Sequence, residues 1–375
     1  MITLRELTEK DLIPLAEFMA REFPHALEKG FPYTTKEFWL PMFDLWWQSN
    51  PAYTDQFPRG WILEDGTSLV GFLGNIPVKF LFSGESKIVA AANGWYVNPS
   101  VRGGSSLQLL RKFVQQKNVS TFLFKIEDES FIRILSKFKF EHYILPKSQR
   151  EYAFIIDKRK VGYNFLKFLF NQKMPRLSQW TELYKRFGFL LTGYLFQKSP
   201  PQRIFPQNEN YISSVCTVCD ESFSTLWDPF LSSCNITLSR DIKTLNWLYF
   251  SQSRFRKRIV IQCHRSADHT LAGYMVFDVQ RIKTTDEATL QLMDMCMEND
   301  DPQVLSSLTS LAIELGKQNG ASLLSVWGNS PATETYFRKT FPMRRSAQYH
   351  RYIRLPDSPG ENFNPVCPTM IFPPQ

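Results

Sequence analysis

The sequence predicts a mixed α/β protein made of two tandem copies of one fold. A chain of 375 residues exceeds the size of one ordinary hydrophobic core, which favours two domains. Strand-like and helix-like stretches follow one another in the same order in both halves. Equivalent points are separated by a nearly constant offset, 202 residues between Gly71 and Gly273 and 201 between Phe140 and Phe341. A constant offset across several elements indicates an internal duplication.

The first half begins with an alternating pattern at 2–7 that is typical of a strand. Thr8 and Asp11 then form a capping box before a helix with apolar residues at helical spacing. A second helical stretch surrounds 38–47, and Asp65-Gly66 predicts a hairpin turn. The remaining elements are strands near 88–92 and ending at 95–97, a helix through 107–114, a strand over 121–126 and a short helix over 130–138.

The second half repeats this order. Residues 258–263 and 271–274 form a hairpin, and the following elements are a long strand at 290–295, a helix over 305–315, a strand over 321–327 and a helix over 331–338.

These patterns divide the chain into four segments. We expect a first domain at 1–157, a basic and aromatic helical connector at 158–205, a second domain at 206–355 and a Pro-rich tail at 356–375. The connector suits an amphipathic segment that packs on both domains. A membrane-surface helix and a wall for a long acyl chain are the alternatives.

The charge balance favours an anionic partner. The formal net charge is +8, which suits a phosphorylated co-substrate or an acidic carrier protein. The basic residues are spread along the chain, so nucleic acid is not expected. The N-terminus lacks an apolar signal region, and no apolar run reaches the ~20 residues of a membrane span. The sequence therefore predicts a cytoplasmic protein without a transmembrane segment.

The six cysteines all lie in the second half, and reduced thiols are expected in the cytoplasm. Cys216 and Cys219 form a CxxC pair. A zinc site needs a second pair at similar spacing, and Cys263-His264 does not supply it. We therefore expect two buried thiols and no metal.

The stretch that runs from Val97 to Leu107 carries the clearest chemical pattern. A strand ends at Val97, a glycine-rich turn follows, and a helix begins at about Ser105. Small residues let the backbone approach a ligand closely, and a helix N-terminus presents unpaired N–H groups and a positive dipole end. This arrangement suits a diphosphate, although a Gly-Gly pair also occurs in ordinary tight turns.

These residues resemble the pyrophosphate loop of the acyl-CoA-dependent N-acyltransferase (GNAT) superfamily. Pro99 follows the strand end, Gly104 takes the first glycine position, and Ser106 takes the second small position. Val101 stands where Arg or Gln is usual, and Arg102 follows one residue later. The residues that the resemblance assigns to donor binding are Val97, Val101, Arg102, Gly103, Gly104, Ser105, Ser106 and Leu107.

A second motif of the superfamily fits only the second half. Asn329, Ala332, Tyr336, Arg338 and Phe341 match its downstream helix. In the first half, Asp128 stands at the Asn position and Leu135 at the Tyr position. The second half's own loop region, 298–303, is acidic and has no glycine, so it would repel a diphosphate.

The resemblance covers about 1–155 and 206–355 and implies a central mixed sheet flanked by helices in each copy. It is also similar to tandem bacterial members, in which an Arg-Asp pair and a Leu-x-Trp, here Arg240-Asp241 and Leu245 to Trp247, open the second copy.

In such enzymes an amine attacks the thioester directly, and a backbone N–H polarises the carbonyl. The resemblance implies that Tyr336 returns a proton to the thiolate, with a core tyrosine as the alternative. His25 lies between the first two helices and is the candidate base, with a surface-loop histidine as the alternative.

The expected activity is N-acyl transfer from acetyl-CoA, a longer acyl-CoA or an acyl carrier protein. The acceptor is the primary amine of a small molecule, an amino sugar or a peptide. Two alternatives stay open: long-chain acylation of a peptide Lys or Orn side chain, and an inactive tandem GNAT protein that acts in binding.

Overall fold

A computed structural model describes much of the chain outside the connector and the tail. The described residues are 1–22, 35–117, 119, 121–124, 129–144, 150–162, 209–231, 236–251, 255, 257–282, 287–328, 330–341, 343–346 and 350–354. His25, Asp128, Asn329, most of the connector and the tail lie outside them.

The elements alternate as the sequence patterns predict. The helices are α1 Leu12–Glu22, α2 Lys36–Trp46, α3 Gly104–Val114, α4 Glu129–Lys137, α5 Glu221–Leu231, α6 Ile242–Tyr249, α7 Pro302–Gln318 and α8 Pro331–Thr340. The strands are β1 Ile2–Glu6, β2 Gly60–Asp65, β3 Ser68–Phe82, β4 Glu85–Val97, β5 Thr121–Phe124, β6 Glu141–Ile144, β7 Arg150–Ile155, β8 Tyr211–Cys216, β9 Ile236–Leu238, β10 Arg258–Arg265, β11 Leu271–Ile282, β12 Glu287–Met297, β13 Ala321–Trp327, β14 Met343–Ser346 and β15 His350–Arg354. The predicted capping box is present, with Thr8 N donating to Asp11 Oδ2 at 2.8 Å.

The chain forms two compact units that interleave in sequence. The first unit comprises 1–145, 227–252 and 348–375, and the second comprises 146–226 and 253–347. The boundaries predicted from the sequence are continuous along the chain. They therefore assign 146–157 to the first copy, and 227–252 and 348–355 to the second.

Each unit is built on one mixed sheet, and the two sheets have equivalent strand orders. The first runs β1-β2-β3-β4-β5-β15-β6, with β9 paired to β3, and the second runs β8-β10-β11-β12-β13-β7-β14. Gly71 pairs with Val97 in the first sheet, and Gly273 pairs with Met297 at the equivalent place in the second. The duplication predicted from the residue offset is therefore present in the strand register.

The two halves of the chain exchange one strand each. β7, from the end of the first half, pairs with β13 and β14 in the second sheet. β15, from the end of the second half, pairs with β5 and β6 in the first sheet. Each sheet is therefore completed by a strand from the other half.

Both sheets open at their only parallel strand pair among the described residues. β4 pairs with β5 over 89–91 but continues to Val97, and β12 pairs with β13 over 288–291 but continues to Met297. A bulge interrupts β4 and β12 shortly before their ends. In each sheet, the stretch of β4 or β12 that does not pair with its parallel neighbour in the described residues is called here the opening of the sheet.

The sheet of the first unit separates two packed layers. On one face, Leu109, Leu110 and Phe113 of α3 pack with Leu135 of α4 in a buried core. On the other face, α1 covers the sheet, and its Phe18 makes an edge contact with Tyr96 of β4 at 5.9 Å. The two faces of the strand that leads to the predicted loop are thus held by different helices.

The segment with Arg240, Asp241 and Trp247 lies in the first unit rather than at the start of the second copy. β9 pairs with β3, Asp241 forms an ion pair with Lys79 at 3.1 Å, and Trp247 Nε1 donates to Leu45 O at 2.8 Å. The expectation that this segment opens the second copy is therefore wrong. Its ion pair and strand pairing with β3 and its buried hydrogen bond with α2 hold it on the first sheet.

Two features are absent from the described residues. No described helix is both long and apolar enough to cross a membrane. The described side chains contain no cluster of His, Cys, Asp and Glu suited to a metal ion.

Candidate functional site

The predicted phosphate loop joins β4 to α3. β4 ends at the buried Val97, a 3-10 turn follows at Pro99–Val101, and α3 begins at Gly104. Gly103 has φ +98°, a region that favours glycine. A Cβ added to Gly103 or Gly104 would meet open space, so the backbone here is accessible from outside.

The start of α3 has no capping side chain. Gly103 occupies the N-cap position and provides no cap hydrogen bond, and the first turn contains no acidic residue. Leu107 N bonds Gly103 O at 3.3 Å, which leaves the amides of 104–106 at the open end of the helix. Leu107 itself is 41% exposed beside this end. The loop therefore offers backbone N–H groups and a positive dipole end to an anion.

The two residues that depart from the loop pattern take different positions. Val101 is half-buried and packs against the core. Arg102 is exposed, and its Nε donates to Val97 O at 2.8 Å while its guanidinium lies 5.6 Å from the centre of the Tyr96 ring. Arg102 is therefore held along the end of β4, next to the loop.

A carboxylate and a phenol meet on the opposite face of the same strand end. Tyr96 OH donates to Glu22 Oε2 at 3.0 Å, and Glu22 Oε1 also accepts from Arg21 at 3.0 Å. Burial raises the pKa of Tyr96, and the hydrogen bond to Glu22 raises it further. Sequence patterns did not identify this pair, because its members lie 74 residues apart.

The equivalent loop of the second unit is closed by its own side chains. Asp301 Oδ1 accepts from Gln303 N at 2.7 Å and caps α7, and Asp301 Oδ2 accepts from Tyr211 OH at 2.7 Å. Glu298 forms an ion pair with Arg265. A carboxylate of the chain thus lies where the first unit leaves its helix start open.

The opening of the second sheet is also occupied. The indole Nε1 of Trp327, at the end of β13, donates to Leu292 O at 3.0 Å, just where β12 leaves β13. Trp327 is 9% exposed and belongs to the core of this unit. The side chain fills the second opening from within.

Tyr336 lies in the second unit on α8. Its ring is half-buried and makes an edge contact with Phe337 at 5.5 Å. Burial raises the pKa of Tyr336, and the neighbouring Ser306 and Thr309 hydroxyls of α7 offset part of that rise. The phenol therefore faces helix α7. In the first unit the matching Leu135 is fully buried in the core.

The predicted site residues thus fall into three groups. The eight loop residues lie together in the first unit, Tyr336 lies in the second unit, and His25 lies outside the described residues.

Comparison with known proteins shows which solved structures share this fold. No protein-family model matches the chain, and no curated protein matches it in sequence. Among solved structures, the N-myristoyltransferase of Saccharomyces cerevisiae with bound myristoyl-CoA superposes with a TM-score of 0.57 and 12% identity, covering 99% of this chain and 85% of that one.

Two further solved structures have the same fold. The GCN5-related N-acetyltransferase of Anabaena variabilis ATCC 29413 superposes with a TM-score of 0.56 and 9% identity, covering 95% of this chain and 73% of that one. A probable N-acyltransferase of Enterococcus faecalis V583 gives 0.54 and 10%, covering 95% and 73%. The chain therefore has the fold of the GCN5-related N-acetyltransferases and N-myristoyltransferases over most of its length.

Proposed function

We propose that this protein is an N-acyltransferase that moves an acyl group from acyl-CoA to a primary amine of a small molecule or amino sugar. The observation that carries the proposal is the open, uncapped helix start at Gly103-Gly104, which lies at the end of a bulged and splayed strand. In the first unit this loop is the donor site, and the second unit is a structural partner.

The donor side rests on electrostatics and access. The amides at the start of α3 are positioned to donate to the diphosphate of CoA, and the helix dipole favours its negative charge. The exposed Leu107 offers an apolar contact beside them. The positive net charge of the chain favours encounter with an anionic co-substrate.

The acceptor side rests on the α1 face of the same strand. Glu22 and Tyr96 lie next to the loop residue Arg102 but on the face that α1 covers. A carboxylate at the C-terminal end of a helix creates a negative potential that suits an ammonium group. Glu22 therefore receives the ammonium group, which loses its proton to water before it attacks, and Tyr96 holds the carboxylate in place.

The chemistry is a direct transfer. The neutral amine attacks the thioester carbonyl, the new C–N bond replaces the C–S bond, and the thiolate of CoA leaves. We place the backbone donor for the developing oxyanion on the part of β4 beyond Ala91, with which β5 does not pair in the described residues. Positioning and this polarisation supply the rate enhancement without a metal.

A second candidate is transfer of a long acyl chain to a peptide amine. It is favoured by the similarity in fold to an N-myristoyltransferase that binds myristoyl-CoA. An acyl carrier protein as donor and a cytoplasmic location remain predictions from the sequence.

One assay tests both candidates. The purified protein is mixed with acetyl-, octanoyl- or myristoyl-CoA and with a panel of amines, including a diamine, an amino sugar and a lysine peptide. Thiol release is followed over a control without amine, and mass spectrometry identifies the acylated product. Product with any amine supports N-acyl transfer, and the preferred chain length separates the two candidates. Absence of product and of any CoA-dependent rise in melting temperature would contradict the proposal.

A further inference from the structure

The CxxC pair of the second unit has a place in the fold that the proposed acyl transfer does not use. Cys216 is the last residue of β8, and Cys219 comes two residues before the first residue of α5. Asp220 Oδ1 accepts from Ser222 N at 3.0 Å at the start of that helix. The two cysteines therefore border one short turn that connects a strand to a helix.

The turn brings the two thiols together beneath an exposed surface. Cys216 Sγ donates to Val218 O at 3.0 Å, which folds the thiol over the turn. Cys216 and Cys219 are only 6% and 2% exposed, but Val218 between them is 61% exposed. A small movement of the exposed turn is enough to admit a small oxidant to the sulfurs.

The surroundings make the two thiols unequal. A hydrogen bond from Cys219 lowers the pKa of Cys216, whereas the same bond and burial raise the pKa of Cys219. Asp220 and Asp294 raise the pKa of Cys219 further. Cys216 is therefore the better nucleophile, because the thiolate is the reactive form.

The other described cysteines provide a contrast. Cys263 and Cys296 each lie within a strand and are buried. Burial raises the pKa of Cys263. Neither lies three positions from another cysteine, so neither is part of a CxxC pair.

We propose that Cys216 and Cys219 form a reversible disulfide by exchange with a low-molecular-weight disulfide. The Cys216 thiolate attacks one sulfur of the oxidant, forms a mixed disulfide and releases one thiolate. This step removes the hydrogen bond that held the Cys219 proton. Cys219 then loses its proton, attacks the sulfur of Cys216 and releases the second thiolate. Two protein thiols are oxidised, and one external disulfide is reduced to two thiols.

The consequence is a covalent link between the end of β8 and the start of α5. β8 is the edge strand of the second sheet, so the link fixes the border of that unit. The inference does not depend on the proposed acyl transfer.

Differential alkylation tests the site in the full chain. The protein is incubated with oxidised glutathione, and free thiols are blocked with iodoacetamide in denaturant. The disulfides are then reduced, and the new thiols are labelled with N-ethylmaleimide. Residue-level mass spectrometry should find the second label on Cys216 and Cys219 in equal amounts, with none gained on Cys263 or Cys296. Iodoacetamide on both residues, under conditions that oxidise a CxxC reference protein, would overturn the proposal.

Two variants test the order of attack. Cys219→Ser should trap glutathione on Cys216, because no second thiol resolves the mixed disulfide. Cys216→Ser should leave Cys219 without an adduct. The absence of an adduct in Cys219→Ser, or an equal adduct in both variants, would contradict Cys216 as the attacking thiol. The wild-type labelling tests the disulfide whether or not these variants fold.

Discussion

The loops that follow β4 and β12 lie at the same place in two copies of one fold. The helix after the first loop has no capping side chain, whereas the helix after the second is capped. In the first unit a glycine precedes the helix, and the helix start is open. In the second unit Asp301 caps the helix and bonds Tyr211. The second sheet's opening is also filled by the indole of Trp327.

The difference shows how one scaffold serves two purposes. A helix N-terminus has a positive end that is stabilised by an anion. In the second unit the chain supplies that anion from its own side chain, which stabilises the fold. In the first unit the chain leaves the position open, and we infer that a ligand supplies the charge. Five variants test this difference, and they are given in order of decreasing expected effect.

Gly104→Glu should have the largest effect. A carboxylate at the open helix start would repel the diphosphate of CoA and occupy its amides, and a repulsion of about 2 kcal/mol weakens binding roughly 30-fold. Calorimetry with CoA measures the affinity. Gln115→Glu is the matched control, since it adds the same charge at the far end of the same helix. An unchanged affinity in Gly104→Glu would place the donor elsewhere.

Glu22→Gln should have the next largest effect and should act on the acceptor alone. Loss of a charged hydrogen bond of about 1.5 kcal/mol predicts a roughly tenfold rise in KM for the amine, with KM for acyl-CoA unchanged. The matched control is Glu17→Gln, an exposed acid on the same helix. Equal effects of Glu22→Gln and Glu17→Gln on the amine would remove Glu22 from the acceptor site.

Asp301→Ala should lower stability without affecting the donor. Loss of the α7 cap should reduce the free energy of unfolding by about 1 kcal/mol, measured by denaturant titration. CoA affinity should not change, because we infer that the donor binds in the first unit. A gain of CoA binding in this variant would show that only Asp301 keeps the second loop from accepting a diphosphate.

The same bond also predicts a pH dependence. The hydrogen bond to Asp301 raises the pKa of Tyr211 in the folded state. Its contribution is therefore present below the unfolded pKa of about 10 and is lost as pH rises through the folded value. Tyr211→Phe should be less stable than the wild type near pH 8, and the difference should shrink above pH ~10. A constant difference across this range would contradict the assignment.

Tyr336→Phe should have the smallest effect on turnover. Its phenol faces Ser306 and Thr309 of α7, so we expect removal of the hydroxyl to change the stability of the second unit more than the chemistry. Turnover within about twofold of wild type fits this expectation. A general acid contributes about 10²- to 10⁴-fold, so a loss of that size would restore Tyr336 as the proton donor.

The fold could be predicted from the sequence because the residue patterns that specify its strands and helices are periodic and local. The strand and helix patterns repeat at a fixed offset, and Gly71 and Gly273 mark equivalent register positions. The strand exchange could not be predicted in the same way. β7 and β15 are short strands of six and five residues. The sequence carries no signal that assigns them to a partner.

In the candidate site, too, features formed by neighbouring residues could be predicted, and features formed by residues far apart in sequence could not. The Gly103-Gly104 loop was visible because its backbone geometry requires particular residue types in consecutive positions. The Glu22–Tyr96 pair was not visible, because two common residues 74 positions apart form no local pattern. That the acidic second loop is poor for diphosphate stays a prediction. The bond between Asp301 and Tyr211, 90 residues apart, depends on tertiary structure.

The exchange of strands also sets a condition on synthesis. A ribosome makes the chain from the N-terminus, so β15 emerges after every other described strand. The first sheet, begun by β1, therefore lacks the strand between β5 and β6 until the second half has been made, and exposed edges invite pairing with other chains. The nascent chain thus exposes the unpaired sides of β5 and β6 until β15 has been made, which two domains arranged one after the other would avoid.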